Sequence, residues 1–514
     1  MTERIKKVLI ANRGEGSRRV AHTILEMGML PVVVFTSDDS KSLHANEGQE
    51  RHEIKNYTNI GGFIEVAKAS GVKLVHPGWG FSSEDPNFPK ACKEAGLIFI
   101  GPSEMAMRQA GNKETAKEIA RTLGIPVIES FSGNHQDIKS WAISLGVSDR
   151  EDSVPIMLKA ARAGGGNGNR LVPKLSALDP TLDKLEQNFP SNGEGPKFFA
   201  ERFISDAHHV EVQLLGDEHG GLVHFGTRNC SIQLRYQKVV EEAPAPFIRE
   251  EKEKELYKYA LRFGEHVGYT NAGTVEFLMD RKGNIFFLEF NPRLQVEHRV
   301  TELITGHNLV RHQIEIAQGG HVPAQNEIKF SGSAIEARIN AQKFHEGTLL
   351  PAGGVVEKVI FPKEDHHIVV DRNLYKGYEI NLNYDPTQAK VAVWGANRGD
   401  AVRTLQKALK ELSIEGVFTN IDFVLRVLSS EEFVQGKHST TFFEEMLKEM
   451  AGKNGGRRED EKKAAAIGVS LAVALQEKQR QREVAAFPAR DNIWRDTGRT
   501  DQMNRRNPRM GWRR

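Results

Sequence analysis

Between Lys7 and Ser103 the chain alternates short apolar runs with helical patterns, and no other feature restricts its fold as strongly. Val8–Ala11 reads as a buried strand, Asn12–Gly16 as a polar glycine turn, and Arg18–Met27 as a helix capped by Ser17. Pro31–Phe35, Lys73–His76 and Leu97–Ile100 read as further strands, with a helix over Phe63–Ala69 among them. Such alternation builds a parallel, doubly wound sheet. Ligand groups of these sheets gather at the carboxyl ends of the strands, where Asn12–Gly16, His76–Glu84 and Gly101–Ser103 supply polar turns.

The pattern becomes α+β from Asn112 to about Gly332, with hairpin-like strands and a polar surface connection expected over Lys174–Lys197. A third region, Ser333 to about Met450, opens on the strand-like Ala334–Ile339 and closes on helical patterns at Ala401–Leu412 and Ile421–Leu428. The 514 residues suit about three domains at roughly 100–200 residues each. Residues 451–514 differ: Gly452, Gly455 and Gly456 form a linker before one helix candidate, Glu461–Arg482. There Ile467, Leu471 and Leu475 share a stripe suited to docking on a partner, the alternative being a loosely packed extension. This tail holds 16 Lys/Arg against 8 Asp/Glu, whereas the whole chain balances at 70 against 68. Without a global basic field, nucleic-acid binding is not expected. The longest apolar stretch, Ala464–Leu475, is too short to span a membrane. The N-terminus fits no signal peptide, and two distant cysteines, Cys92 and Cys230, suit a reducing cytosol. A cytoplasmic protein with no membrane partner is the expectation.

The chemistry concentrates in Ala272–His298. Thr274–Met279 and Ile285–Phe290 read as strands of a hairpin turning at Asp280–Asn284, which sets Glu276 approximately opposite Glu289. Strict alternation gives Glu289 and Asn291 one face and Phe286, Leu288 and Phe290 the other. Facing carboxylates repel unless positive charge lies between them, and two Glu with one Asn suit Mg²⁺. A solvated sheet face is the alternative reading. Arg293, Gln295 and Glu297 follow at i+2 steps, so an extended chain would present all three to one pocket. A guanidinium grips a planar oxyanion and a neighbouring carboxylate serves as general base, although a surface Arg–Glu pair has the same spelling. The run Lys159–Arg170, with Gly164, Gly165 and Gly166, exposes backbone N–H groups for phosphate or makes a hairpin tip. It is not a Walker loop. Lys159 and Lys113 add charge suited to a triphosphate, or are plain surface lysines, and Gln233, Arg235, Gln237 and Lys238 make either a polar wall or an exposed polar strand. Arg338, on an otherwise apolar strand, needs a carboxylate partner.

From about Ile5 to Phe443 the chain resembles the biotin carboxylase component of biotin-dependent carboxylases, in the ATP-grasp superfamily. The motifs are ANRGEG at Ala11–Gly16, HPGWGF at His76–Phe81, FIGPS at Phe99–Ser103, NCSIQLRYQKVVEEAPAP at Asn229–Pro246, EFNPRLQVEH at Glu289–His298, AIEARINA at Ala334–Ala341 and GVFTNIDF at Gly416–Phe423. The resemblance implies a doubly wound N-terminal domain (1–111), a central ATP-grasp domain (112–332) with a mobile glycine-rich lid at about 130–204, a mixed α/β C-terminal domain (333–450) and a basic helical tail (451–514). It implies that ATP and bicarbonate form carboxyphosphate, whose carboxyl passes to biotin on a carrier. By this resemblance Lys113, Lys159, Gly164, Gly165, Gly166, Glu201, His209, Gln233, Glu276 and Glu289 hold ATP. Glu276, Glu289 and Asn291 hold Mg²⁺ or Mn²⁺, and Arg293, Gln295 and Val296 hold bicarbonate. Glu297 is the base, Arg338 stabilises the biotin enolate, and Arg293 and Lys238 complete the catalytic set.

Several positions depart from the family pattern: Arg162, Ala163 and Asn167 in the glycine loop, Tyr236 for histidine, Trp79 for tyrosine, Ser82 for leucine, Asn112 for aspartate, Arg299 for proline, and Gly16-Ser17 for isoleucine–alanine. No Met-Lys-Met biotinylation sequence occurs. The expectation is a subunit of an acyl-CoA or pyruvate carboxylase, homodimeric, working with a separate biotin carrier protein and a carboxyltransferase subunit. The alternatives are another ATP-grasp ligase, or a nucleotide-binding subunit that regulates or scaffolds without turnover.

Overall fold

Val8, Leu9 and Ile10 lose all solvent contact in strand Lys7–Ile10, the centre of a five-stranded parallel sheet. The structure is a computed structural model and describes residues 6–160, 168–188 and 198–454. The sheet order is Glu50–Glu53, Leu30–Phe35, Lys7–Ile10, Leu74–His76, Ile98–Phe99. Val8 and Ile10 pack into one apolar cluster and Leu9 into another, so the central strand is covered on both faces. That two-sided burial is why the strand reads as an unbroken apolar run.

The chain moves outward from Lys7–Ile10 first to one side and then to the other. This leaves a crevice at the carboxyl ends of Lys7–Ile10 and Leu74–His76. There Asn12 Nδ2 donates to the carbonyls of Pro77 and Trp79 at 2.7 and 2.8 Å. Gly78 sits at φ 63° with Asn12 against it, and a Cβ would come 2.5 Å from Nδ2, so this turn requires glycine. The following helix, Gly14–Glu26, starts earlier than the expected cap at Ser17. Asn12 Oδ1 already accepts the Arg13 N–H, and the Ser17 N–H closes the first helical bond to Arg13, leaving the Ser17 side chain buried without a capping role.

An eight-stranded antiparallel sheet forms the body. Its order is Ile285–Asn291, Asn271–Met279, His208–Gly216, Leu222–Leu234, Gln237–Ala243, Ser333–Asn340, Thr387–Gly395, Ile368–Arg372. Gln237–Ala243 pairs directly with Ser333–Asn340, so the sheet continues across residues 332 and 333. Val210, Val212, Val275 and Phe277 share an apolar core with Phe263 of helix Glu250–His266. The hairpin register sets Glu276 opposite Glu289, but the next pair is Phe277 with Phe287, leaving Leu288 as an extra residue. This bulge corrects the expected faces. Phe287 and Phe290 enter the core and stack on Phe263 at 5.1 and 5.4 Å, while Phe286 and Leu288 stay half-buried.

A separate four-stranded sheet, ordered Ser130–Gly133, Phe198–Arg202, Ile156–Ala160, Asn169–Val172, has its own core with helix His135–Leu145. The expected connection over Lys174–Lys197 is corrected in part. Leu178–Asn188 is a helix that buries Leu178, Leu182 and Leu185, a stripe masked by polar composition. In the third region, helices Arg398–Glu411 and Ile421–Ser429 pack on Ser333–Asn340 and Thr387–Gly395. The described residues up to Lys448 make one compact unit, and a second begins at Glu449. The glycine run, including Gly164, Gly165 and Gly166, and the tail's helix candidate lie outside the described residues. Among the described residues no helix is long and apolar enough to cross a membrane. Cys92 and Cys230 are both buried and free.

Candidate active site

Sheet register places charge opposite charge. Glu289 faces Glu276, Glu276 faces Glu211, and Glu211 faces Arg228 along one row of four neighbouring strands. Directly opposed side chains share a face, so three carboxylates crowd together and need cations. Arg228, without solvent contact, donates through Nε to Glu211 and through Nη1 to Gln213 and Thr301, both at 2.9 Å. The Lys238 ammonium reaches Glu211 at 2.6 Å, Glu276 at 2.8 Å and Glu297 at 2.6 Å. His209 Nε2 lies 2.9 Å from the other Glu276 oxygen. Gln233 donates to the Cys230 carbonyl and meets His209 Nδ1, both at 2.7 Å.

Glu297 is gripped by two cations of the cluster. One oxygen takes Lys238, and the other takes Arg338 Nη2 at 2.9 Å. Burial alone would raise its pKa, but Lys238, Arg338 and Arg228 outweigh it and hold the carboxyl well below the usual range. The residue caps helix His298–Thr305, whose N-terminal dipole favours the same charge. Burial likewise opposes ionisation of Glu276, and Lys238 with His209 reverses it. Arg338 Nε donates to Glu241 at 2.6 Å, supplying the expected partner. Glu241 differs from its neighbours. Burial pushes it up to about 7, Arg338 offsetting only part of the effect.

The stretch Arg293–Glu297 is a turn, not the expected extended strand: the His298 N–H bonds back to the Gln295 carbonyl. The three side chains still converge. Arg293 Nη1 donates to Gln295 at 2.9 Å, and Gln295 Nε2 donates to Glu276 at 3.0 Å. Arg293 Nε is engaged by Glu84 from the loop after HPGWGF, at 2.5 Å. Asn291 Nδ2 donates to Glu276 at 2.9 Å, and the Val296 carbonyl accepts from Lys390 at 2.7 Å.

Beside this cluster, Lys113 lies 3.2 Å from Glu289. Glu201 takes Lys159 at 2.6 Å and also Lys117. Lys113, Lys117, Lys159 and Glu201 line a cavity of about 130 Å³ together with Arg121 and Phe199. Three mutually repelling lysines around one cavity make a seat for a polyphosphate. Asn112 caps helix Lys113–Thr122 by accepting from the Glu114 and Thr115 N–H groups, a task aspartate would perform equally.

Glu276 and Glu289, opposed in register with Asn291 beside them, form an all-oxygen set that fits Mg²⁺. His209, Glu211 and Glu276 also bring ligand atoms within 4.8 Å of one another, and the Lys238 ammonium bonds both of those carboxylates. The sequence reading missed Lys117, Glu211, Arg228, Glu241 and Lys390. Lys117 lies one helical turn from Lys113, and Glu211 two strand residues from His209, so both had local signals. Arg228 and Lys390 had none, whereas Glu241 lies within the motif Asn229–Pro246.

Three family descriptions match the chain: "Biotin carboxylase, N-terminal domain" over residues 4–107, "Carbamoyl-phosphate synthase L chain, ATP binding domain" over 112–325 and "Biotin carboxylase C-terminal domain" over 336–445. Biotin carboxylase of Halalkalibacterium halodurans is 39% identical over 456 residues, covering 87% of this chain and 99% of that protein. The mitochondrial methylcrotonoyl-CoA carboxylase subunit alpha of Rattus norvegicus is 38% identical over 91% of this chain, which spans only 66% of that subunit's length. The biotin carboxylase domain dimer of Hydrogenobacter thermophilus 2-oxoglutarate carboxylase, solved with MgADP, ADP and bicarbonate, is 34% identical at TM-score 0.81. That match covers 86% of this chain and 98% of that one. A biotin carboxylase complex from Campylobacter jejuni gives 34% identity and TM-score 0.80, over 85% and 98% of the two chains.

Proposed function

Because the chain belongs to the biotin carboxylase family, we propose that it carboxylates biotin at the expense of ATP and bicarbonate. The observation that carries this reading is Glu297, an ionised carboxylate held between Lys238 at 2.6 Å and Arg338 at 2.9 Å, beside the Arg293–Gln295 pair. Bicarbonate sits against Arg293, Gln295 and Val296 and gives its proton to Glu297. The bicarbonate oxygen then attacks the γ-phosphorus of ATP, forming carboxyphosphate and releasing ADP. Lys113 and Lys159 hold the phosphates, with Lys117 beside them. Glu201, His209 and Gln233 complete the nucleotide pocket. Glu276, Glu289 and Asn291 would hold Mg²⁺, which would supply positive charge against the phosphates.

Arg338 faces the developing negative oxygen of the biotin ureido group, and Glu241 steadies its other edge. We assign 1–111, 112–332 with a lid at about 130–204, and 333–450 as the functional segments. Biotin arrives on a carrier protein, and a carboxyltransferase subunit moves the carboxyl to an acyl-CoA or pyruvate. A homodimer is the proposed assembly, in line with the Hydrogenobacter domain dimer. A cytoplasmic location suits the two free, buried cysteines.

The test is ATP hydrolysis by the purified chain with Mg²⁺ and free biotin. Turnover that requires bicarbonate and rises with biotin supports the reading. Nucleotide binding without turnover, or turnover that needs an amine in place of biotin, overturns it.

A further inference from the structure

Lys390 is 1% exposed on strand Thr387–Gly395, a poor place for an ammonium unless its bonds matter. Its shortest contact is the carbonyl of Val296 at 2.7 Å. The carboxylates around it stand farther off, Glu15 at 3.5 Å and Asp371 at 3.6 Å. Glu336, fully buried, and Arg299 also bear on its charge. The Trp79 ring closes the remaining side, with Nζ 5.0 Å from its centroid. Both Glu336 oxygens lack a hydrogen-bond partner, so a carboxylate deprived of donors stands nearby while Lys390 spends its shortest bond on a backbone oxygen.

That carbonyl lies between Gln295 and Glu297, and holding it fixes the peptide that aims Glu297. In sheet register Lys390 is the direct partner of Arg338 on the neighbouring strand. The same pair of strands therefore presents Arg338 to one Glu297 oxygen and ties down the turn from which Glu297 projects. From this geometry we infer that Lys390 is a positioning residue, setting the distance between the base Glu297 and Arg338 by clamping the Val296 carbonyl. The inference rests on the proposed reaction, in which Glu297 and Arg338 must act on bicarbonate and biotin in one pocket. A lysine needed only for charge balance would have its tightest contact with a carboxylate, and this one does not.

The experiment is steady-state kinetics of bicarbonate-dependent ATP hydrolysis with free biotin, on the full chain. Lys390→Met keeps the hydrocarbon length and removes the donor. It is expected to lower kcat about tenfold or more and raise KM for bicarbonate, while KM for ATP holds, since small misplacements of a catalytic group cost that much. Glu15→Gln/Lys390→Met removes both a positive and a negative charge, relieving the carboxylate that the single variant leaves uncompensated. The loss is expected to persist in the double variant, which also serves if the single variant fails to fold. Recovery of wild-type kcat in the double variant, an equal rise of both KM values, or failure of both variants to fold means that the ammonium only balances charge or supports folding, and overturns the inference. A wild-type chain without bicarbonate-dependent turnover defeats the proposed function itself. An active wild type with unchanged Lys390 variants defeats the positioning role alone.

Discussion

In the five-stranded parallel sheet the central strand buries Val8, Leu9 and Ile10, whereas four neighbouring strands of the eight-stranded sheet set Glu289, Glu276, Glu211 and Arg228 side by side. The first sheet is held by hydrocarbon removed from water, which needs no particular partner. The second keeps a row of carboxylates that burial penalises and that Lys113, Lys238, Arg228 and His209 make tolerable. Polar groups retained at such cost mark where chemistry is done. Damage to the first sheet is therefore expected in stability, and damage to the second in turnover.

The widest separation comes from Glu297→Gln. Losing the proposed base is expected to lower bicarbonate-dependent turnover by about 10²–10⁴-fold, with ATP binding and melting temperature little changed. Unaltered turnover would remove Glu297 from the reaction. Leu9→Ala reverses the pattern. A cavity at this fully buried site is expected to cost about 2–5 kcal/mol in denaturant unfolding, with per-molecule turnover of the folded protein retained.

The third prediction is acid sensitivity within the parallel-sheet region. His44 is fully buried there, and burial lowers its pKa from 6.5 to about 4. The unfolded chain takes up this proton near its ordinary pKa while the folded chain refuses it, so stability is lost as pH falls from 6.5 toward 4. The loss attributable to His44 is about 3 kcal/mol. Unfolding curves across that window should be flatter for His44→Gln, and equal slopes would clear His44 of the effect. The smallest effect is expected at Gly16, where an added Cβ would meet the Trp79 ring at 2.9 Å. Crowding of about 1–3 kcal/mol, offset by about 1 kcal/mol of improved helix propensity, leaves a net loss near 1 kcal/mol. Trp79→Phe in the Gly16→Ala background should restore the melting temperature. If it does not, the small residue at position 16 has no bearing on the tryptophan that replaces the family's tyrosine.

The parallel sheet was legible because two-sided burial writes an apolar run for each strand. The Glu276–Glu289 pair was legible because a short hairpin sets its register from the turn outward. The bulge at Leu288 was not, since nothing local distinguishes Phe287 from Phe286. Arg293, Gln295 and Glu297 were chosen on an extended-chain argument, yet they meet because the chain turns at Gln295–His298. Their residue types were informative even though the supposed geometry was not. The helix at Leu178–Asn188 was hidden because its three buried leucines are outnumbered by polar neighbours.

Local order along the chain was enough to determine the strands and helices of the parallel sheet, the facing glutamates, and the motifs that place this protein among the biotin carboxylases. Those properties depend on residues within a few positions of one another. Only the tertiary structure decided that Lys238 would bridge three carboxylates, that Arg338 would sit between Glu241 and Glu297, and that Lys390 would bond the turn bearing Glu297. These partners lie on elements far apart in sequence. Their electrostatic coupling exists only after sheet register has brought them within a few ångströms and excluded water.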